Sequence, residues 1–98
     1  MQQITPLEVS ALDAPVIIDV REANELEAAR VPGATHIAMS SFLEHLGEIP
    51  REETVYILCH AGSRSAQVTN YLEQQGYDAV NITGGITEWA ASGLPVER

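Results

Sequence analysis

The chain's only cysteine lies in the run Val55-Tyr56-Ile57-Leu58-Cys59-His60-Ala61-Gly62-Ser63-Arg64-Ser65. A β-branched and aromatic stretch leads into Cys59, small residues follow, and an apolar-periodic segment from Ala66 to Leu72 reads as helix. The thiol therefore stands where a strand gives way to a helix N-terminus. First-turn N–H groups have no partner within the helix and carry roughly half a unit of positive charge. A thiolate facing them is stabilised, and its pKa can fall well below the free value of about 8.5. Sulfur held among backbone N–H groups suits nucleophilic catalysis. The alternative is an inert, packed cysteine, since free cysteine is among the most buried residue types.

The neighbours of Cys59 each carry two readings. Gly62 suits a positive φ or a close backbone approach to the sulfur, or is an ordinary turn glycine. Arg64 is either an anion clamp at the pocket that stabilises the thiolate, or one half of a salt bridge to a carboxylate such as Asp19. His60 can hydrogen-bond substrate or lower the thiol pKa, but adjacent loop residues point apart, which favours a solvated ring. Ser63 and Ser65 can line the loop with hydroxyl donors or cap the helix. Asp19 and Arg21, at the end of a second apolar run, are expected as structural supports of the edge that carries Cys59. Trp89 is expected in the core, and Met39 and Phe42 are candidates for a pocket wall.

The elements that must position these residues follow from local signals. Thr5-Pro6-Leu7-Glu8 is a helix start, with Thr as N-cap, Pro at the first position and Glu three residues after the cap; the helix should run to about Leu12. Val16 to Val20 has the apolar character of a buried parallel strand. Glu22 to Ala29 reads as helix and Val31-Pro32-Gly33 breaks it. Thr35 to Ala38 is a short strand. Ser41 with Glu44 predicts a second capping box, with a helix to Leu46 closed by Gly47. Thr54 to Leu58 is a strand, Ser63 to Gln75 a helix ended by Gly76, Ala79 to Ile82 a strand, and Ile86 to Ala91 a last helix after Gly84-Gly85. The alternation predicts an α/β fold, a parallel sheet with helices on both faces and right-handed crossovers. Sites in such sheets lie at the carboxyl ends of the strands, where Cys59 falls.

Composition bounds the function. Ninety-eight residues, 45% of them hydrophobic, suit one globular domain over 1–98. Fourteen acidic and five basic residues give a net charge of −9, and lysine is absent. That argues against a nucleic-acid partner, and small dianions must be held by local donors against long-range repulsion. No apolar run reaches the length of a membrane span, so no membrane partner is expected. Residues 1–6 lack the basic and apolar parts of a signal peptide, and the single cysteine excludes an internal disulfide; a cytoplasmic location is expected. Neither a metal nor a cofactor is expected. With no second thiol in these residues, sulfur carried on Cys59 must pass to another molecule.

Four segments resemble the rhodanese-like sulfurtransferases, in particular their small single-domain members. They are Ile18-Asp19-Val20-Arg21-Glu22, Val31-Pro32-Gly33-Ala34-Thr35-His36-Ile37, the loop Cys59 to Ser65, and Gly84-Gly85-Ile86-Thr87-Glu88-Trp89. They occur in the family's order and span most of the chain, with a departure at Arg30-Val31, where the family often has His-Ile. The resemblance implies a rhodanese-like, five-stranded parallel sheet flanked by helices. It implies that Cys59 takes a sulfane sulfur from a small donor anion such as thiosulfate, or from a persulfide, and passes it to a thiol acceptor, a protein thiol included, or to cyanide. It further implies that the backbone of His60, Ala61, Gly62, Ser63, Arg64 and Ser65 cradles the persulfide. The competing readings are a cysteine-dependent phosphatase and a persulfide carrier or binding module in a sulfur relay. Four residues separate Cys59 from Arg64, one fewer than in cysteine phosphatases, which predicts a ring too narrow for phosphate.

Overall fold

A computed structural model describes residues 1–98. The Thr5 signal folds as its residues dictate. The Thr5 hydroxyl accepts the Glu8 N–H at 3.2 Å, and the Glu8 carboxylate accepts the Thr5 N–H at 3.0 Å. This capping box opens α1, Pro6–Ser10, which ends before the expected Leu12. The other helices are α2, Ala23–Ala28, α3, Ser63–Gln74, and α4, Gly85–Ala91.

Five strands form one parallel sheet: β1 Gln2–Ile4, β2 Val16–Asp19, β3 Thr35–His36, β4 Val55–Leu58 and β5 Ala79–Ile82. Their spatial order is β1-β5-β4-β2-β3. β1 is absent from the strands read along the sequence. It is short and half polar, and it exists through its pairing with β5, Gln2 opposite Val80 and Ile4 opposite Ile82. β3 stops at His36 rather than Ala38.

The period of two along each strand divides the core between the two faces. Ile18, Val20, Val55, Ile57, Cys59 and Ala79 pack on one side with Phe42, Ile49, Tyr77 and the α3 residues Val68 and Leu72. Ile17, Leu58 and Ile82 pack on the other with Val9 of α1, Val31, and Ile86 and Trp89 of α4. Each fully buried Ile or Leu contributes about 1.5–3 kcal/mol. The same alternation carries Cys59 to the α3 side, in register with Val55 and Ile57. Trp89 is core, as expected, and its indole N–H donates to the Pro95 carbonyl at 2.9 Å.

The segment after β3 corrects the sequence reading. Residues Met39–Glu48 form 3-10 turns with Ala38 as N-cap and Ile49 as C-cap, and Ser41 is non-helical within them. The expected Ser41–Glu44 capping box and Gly47 C-cap do not form. The entry is fixed from elsewhere in the chain: the Glu22 carboxylate accepts both the Ser40 hydroxyl at 2.6 Å and the Ser40 N–H at 3.3 Å.

At the end of β2, Asp19 and Arg21 form a buried ion pair, 1% and 3% exposed. Arg21 Nη2 and Nε donate to the Asp19 carboxylate at 2.8 and 3.1 Å, and Nη2 also donates to the Ala29 carbonyl at 2.8 Å. The pair ties β2 to the end of α2. Removing one partner of such a pair strands a buried charge, at a cost of about 3–5 kcal/mol. Asp19→Ala should therefore lower the urea midpoint by an amount worth about 3 kcal/mol or more, with the m-value unchanged. A loss below about 1 kcal/mol would show that the guanidinium finds another partner.

Candidate active site

β4 delivers Cys59 to the carboxyl edge of the sheet, and the chain turns at once into α3. Gly62 makes that turn. Its φ is +112°, the positive φ that glycine suits, and a Cβ there would sit 3.2 Å from the Gly84 nitrogen, a crowding at a backbone neighbour that the sequence does not disclose. The turn aims the Gly62 N–H at Cys59 Sγ, 3.0 Å away. Ser65, in the first turn of α3 and buried, places its Oγ 3.3 Å from Sγ. The Ser65 hydroxyl donates to the Gly62 carbonyl at 3.1 Å while it accepts from the thiol. It can rotate to donate when the sulfur is ionised.

Cys59 is 1% exposed, and burial by itself pushes a thiol pKa up. The Ser65 hydroxyl and the backbone N–H groups of Ser65, Gly62 and Ala61 outweigh burial and leave the Cys59 pKa below the ordinary thiol value. An inert packed cysteine is surrounded by carbon. This one has converging donors.

A pair of glycines, Gly84 and Gly85, lies behind the loop. Ile86 N–H donates to the Cys59 carbonyl at 2.9 Å and Thr87 N–H to the His60 carbonyl at 3.1 Å. That approach needs Gly85: a Cβ there would overlap both carbonyl oxygens. Residues 84–87 are thus the brace of the Cys59 loop, a role their sequence does not disclose.

The structure separates the remaining candidates. Arg64 points to α2, where Nη1 and Nη2 donate to the Glu25 carboxylate at 2.7 and 2.9 Å. The salt-bridge reading of Arg64 therefore holds in place of a free clamp, with Glu25 and not Asp19 as partner. His60 is exposed, its Nε2 3.4 Å from Thr87 Oγ1, as expected of a solvated ring. Ala61 and Ser63 are exposed on the loop, and Ser63 makes no side-chain cap. Phe42 lies in the same core cluster as Cys59, with Met39 packed against it. Both line an adjacent apolar groove of about 240 Å³ with Leu43, Gln67, Val68 and Tyr71.

The chain as a whole is similar to known proteins. The family described as "Rhodanese-like domain" matches residues 7–92. The chain belongs to the rhodanese-like domain family. A protein named "Sulfurtransferase" from Allochromatium vinosum is 39% identical over 82 residues, covering 83% of this chain and 77% of that one. The crystal structure of a rhodanese-like domain protein from Staphylococcus aureus is 35% identical with a TM-score of 0.89, and each chain is covered in full. A rhodanese-related protein from Thermoplasma volcanium has a TM-score of 0.93 at 28% identity, covering 99% of this chain and 98% of that one. The rhodanese-like fold expected from the sequence is the fold observed.

The Ser65 hydroxyl gives this rhodanese-like loop a direct test. Alkylation of Cys59 by iodoacetamide should remain fast at pH values where a free thiol has slowed. Ser65→Ala removes one of the groups that favour the thiolate, so its alkylation midpoint should move to higher pH. Superimposable pH profiles for wild type and variant would show that the hydroxyl does not act on the sulfur.

Proposed function

We propose that this protein is a sulfurtransferase in which Cys59 carries a sulfane sulfur between a donor and a thiophilic acceptor. The observation that carries the reading is the Cys59 sulfur 3.0 Å from the Gly62 N–H and 3.3 Å from Ser65 Oγ, at the start of α3. These donors favour an anionic sulfur, both as the attacking thiolate and as the terminal sulfur of a persulfide.

The Cys59 thiolate attacks the sulfane sulfur of thiosulfate. A new S–S bond forms, the old S–S bond breaks, and sulfite leaves with the bonding electron pair. With a persulfide R–S–SH, the thiolate takes the outer sulfur and R–S⁻ leaves. An acceptor thiolate or cyanide then attacks the outer sulfur of the Cys59 persulfide. Cys59 departs as thiolate, and the acceptor becomes a persulfide or thiocyanate. The oxidation level is conserved across the cycle, so no oxidant or reductant is consumed. The backbone N–H groups of Ala61, Gly62 and Ser65 are the cradle for the bound sulfur, and the loop His60–Ser65 is the wall the donor crosses. The chain is a single catalytic domain on this reading, and its place of action is the cytoplasm, where thiols stay reduced.

Two features weigh against phosphate chemistry. The loop from Cys59 to Arg64 is short, and the Arg64 guanidinium that would hold equatorial phosphate oxygens is bound to Glu25. A persulfide carrier serving a protein partner uses the same Cys59 step and differs only in what delivers the sulfur.

Intact mass after exposure to thiosulfate or glutathione persulfide should show one added sulfur atom per chain, removed by cyanide or a reducing thiol. Cys59→Ser should lose the adduct and all turnover while keeping the circular dichroism of the fold. Sulfur transfer persisting in that variant would overturn the proposal.

Loop length is tested separately. Wild type should hydrolyse aryl phosphates negligibly. One glycine inserted after Ser63 should draw the N–H donors away from the sulfur and reduce sulfur transfer by about tenfold or more, as expected for losing a charge-assisted contact. A wild-type phosphatase rate above its sulfur-transfer rate would favour the phosphatase.

A further inference from the structure

The Arg64 guanidinium is the nearest cationic side chain to the sulfur along the loop, and it is already occupied. Both terminal nitrogens bond Glu25 in a fork-to-fork pair, 2.7 and 2.9 Å, with the two side chains about one-third and one-quarter exposed. Glu25 is itself preset. Its Oε1 accepts the Glu22 N–H at 3.0 Å, closing a capping box at the start of α2. Glu22 in turn is held by Ser40. The carboxylate therefore waits in position and does not swing in from solvent. Hydrogen bonding to Arg64 holds its pKa at about 2, so it is ionised at any working pH. The other nearby arginine, Arg21, is buried against Asp19. The net charge of −9 adds long-range repulsion for anions.

We propose that Glu25 sets donor choice: by occupying Arg64 it leaves the Cys59 loop without a free cation for dianionic thiosulfate, and so favours persulfide donors bearing at most one negative charge. This rests on the reading of Cys59 as sulfur acceptor. A persulfide delivers its outer sulfur to the N–H cradle and needs no guanidinium. Thiosulfate brings three sulfonate oxygens and two charges that the loop as built leaves uncompensated. Glu25 acts through Arg64 and is a positioning residue.

The test compares KM for thiosulfate with KM for hydroxyethyl persulfide generated in situ, whose substituent is uncharged. Glu25→Gln keeps Oε1 for the Glu22 N–H, and so keeps the capping box, but removes the charge and the Oε2 contact that hold the guanidinium in the fork. It should lower the thiosulfate KM by roughly fivefold to tenfold relative to the persulfide KM, the range of one charge-assisted contact discounted for exposure. Adding Arg64→Gln to it should cancel the gain. Glu25→Asp, too short to engage both nitrogens, should shift the ratio in the same direction by less, and it serves should Glu25→Gln fail to fold. Glu53→Gln, ahead of β4, removes the same charge away from the loop and should leave the ratio unmoved. A donor ratio unchanged in both Glu25 variants, or moved equally by Glu53→Gln, overturns the proposal while the sulfurtransferase reading stands. A wild-type Cys59 loaded by neither donor overturns that reading and this proposal with it.

Discussion

The carbonyl oxygens of Cys59 and His60 point away from the sulfur and into the first turn of α4, where the N–H groups of Ile86 and Thr87 receive them. A peptide unit has two polar ends. Fixing the carbonyls on one side of the loop commits the following N–H groups to the other side, where the sulfur lies. Gly85 permits the contact because any side chain would collide with those carbonyls, and Gly62 permits the turn that follows because its φ lies where other residues are strained. The brace orients the Ala61 N–H, one of the groups that lower the Cys59 pKa, and the Gly62 turn adds the Gly62 N–H and the Ser65 hydroxyl.

A different physics attaches α2. This helix has no buried residue, so its place against the domain is not determined by apolar packing. Polar anchors do the work. Arg21 reaches from the end of β2 to the Ala29 carbonyl, Arg64 reaches from α3 to the Glu25 carboxylate, and Glu22 ties the helix start to Ser40. Such contacts are directional and sensitive to charge. One-residue changes here alter how the site is charged more readily than they alter the fold.

Much of this was legible in the residues, and the failures have physical causes. The strand–cysteine–helix junction is local, so its pattern identifies Cys59, the Gly62 turn and the α3 start directly. Alternation along 16–20 and 55–59 places the core. β1 was illegible because Gln2-Gln3-Ile4 has no intrinsic strand pattern and is defined by β5 at the far end of the chain. The 3-10 segment was misread because Ser41 and Glu44 have the spacing of a cap, while the chain entering it is fixed at Ser40 by Glu22. The sequence leaves the partner of Arg64 open, because an acidic chain offers many carboxylates and spacing does not reveal which one faces α3. The Gly84-Gly85 pair reads locally as a turn into the last helix; its further reason is a contact with Cys59 and His60, and no local rule encodes that.

The sheet order also governs when the thiol becomes special. β1 pairs with β5, and the loop after β4 is braced by the helix after β5. Synthesis runs from the N-terminus, so the first strand waits for the last one, and the loop after Cys59 waits for residues 84–87 before its carbonyls are locked. Until then Cys59 is a cysteine on an unbraced loop, without the fixed donors that distinguish it in the finished fold. Contacts that span the chain slow folding, because the closure entropy comes before the reward. Here that delay has a chemical meaning: the fixed donors around Cys59 are complete only once residues 84–87 pack behind its loop.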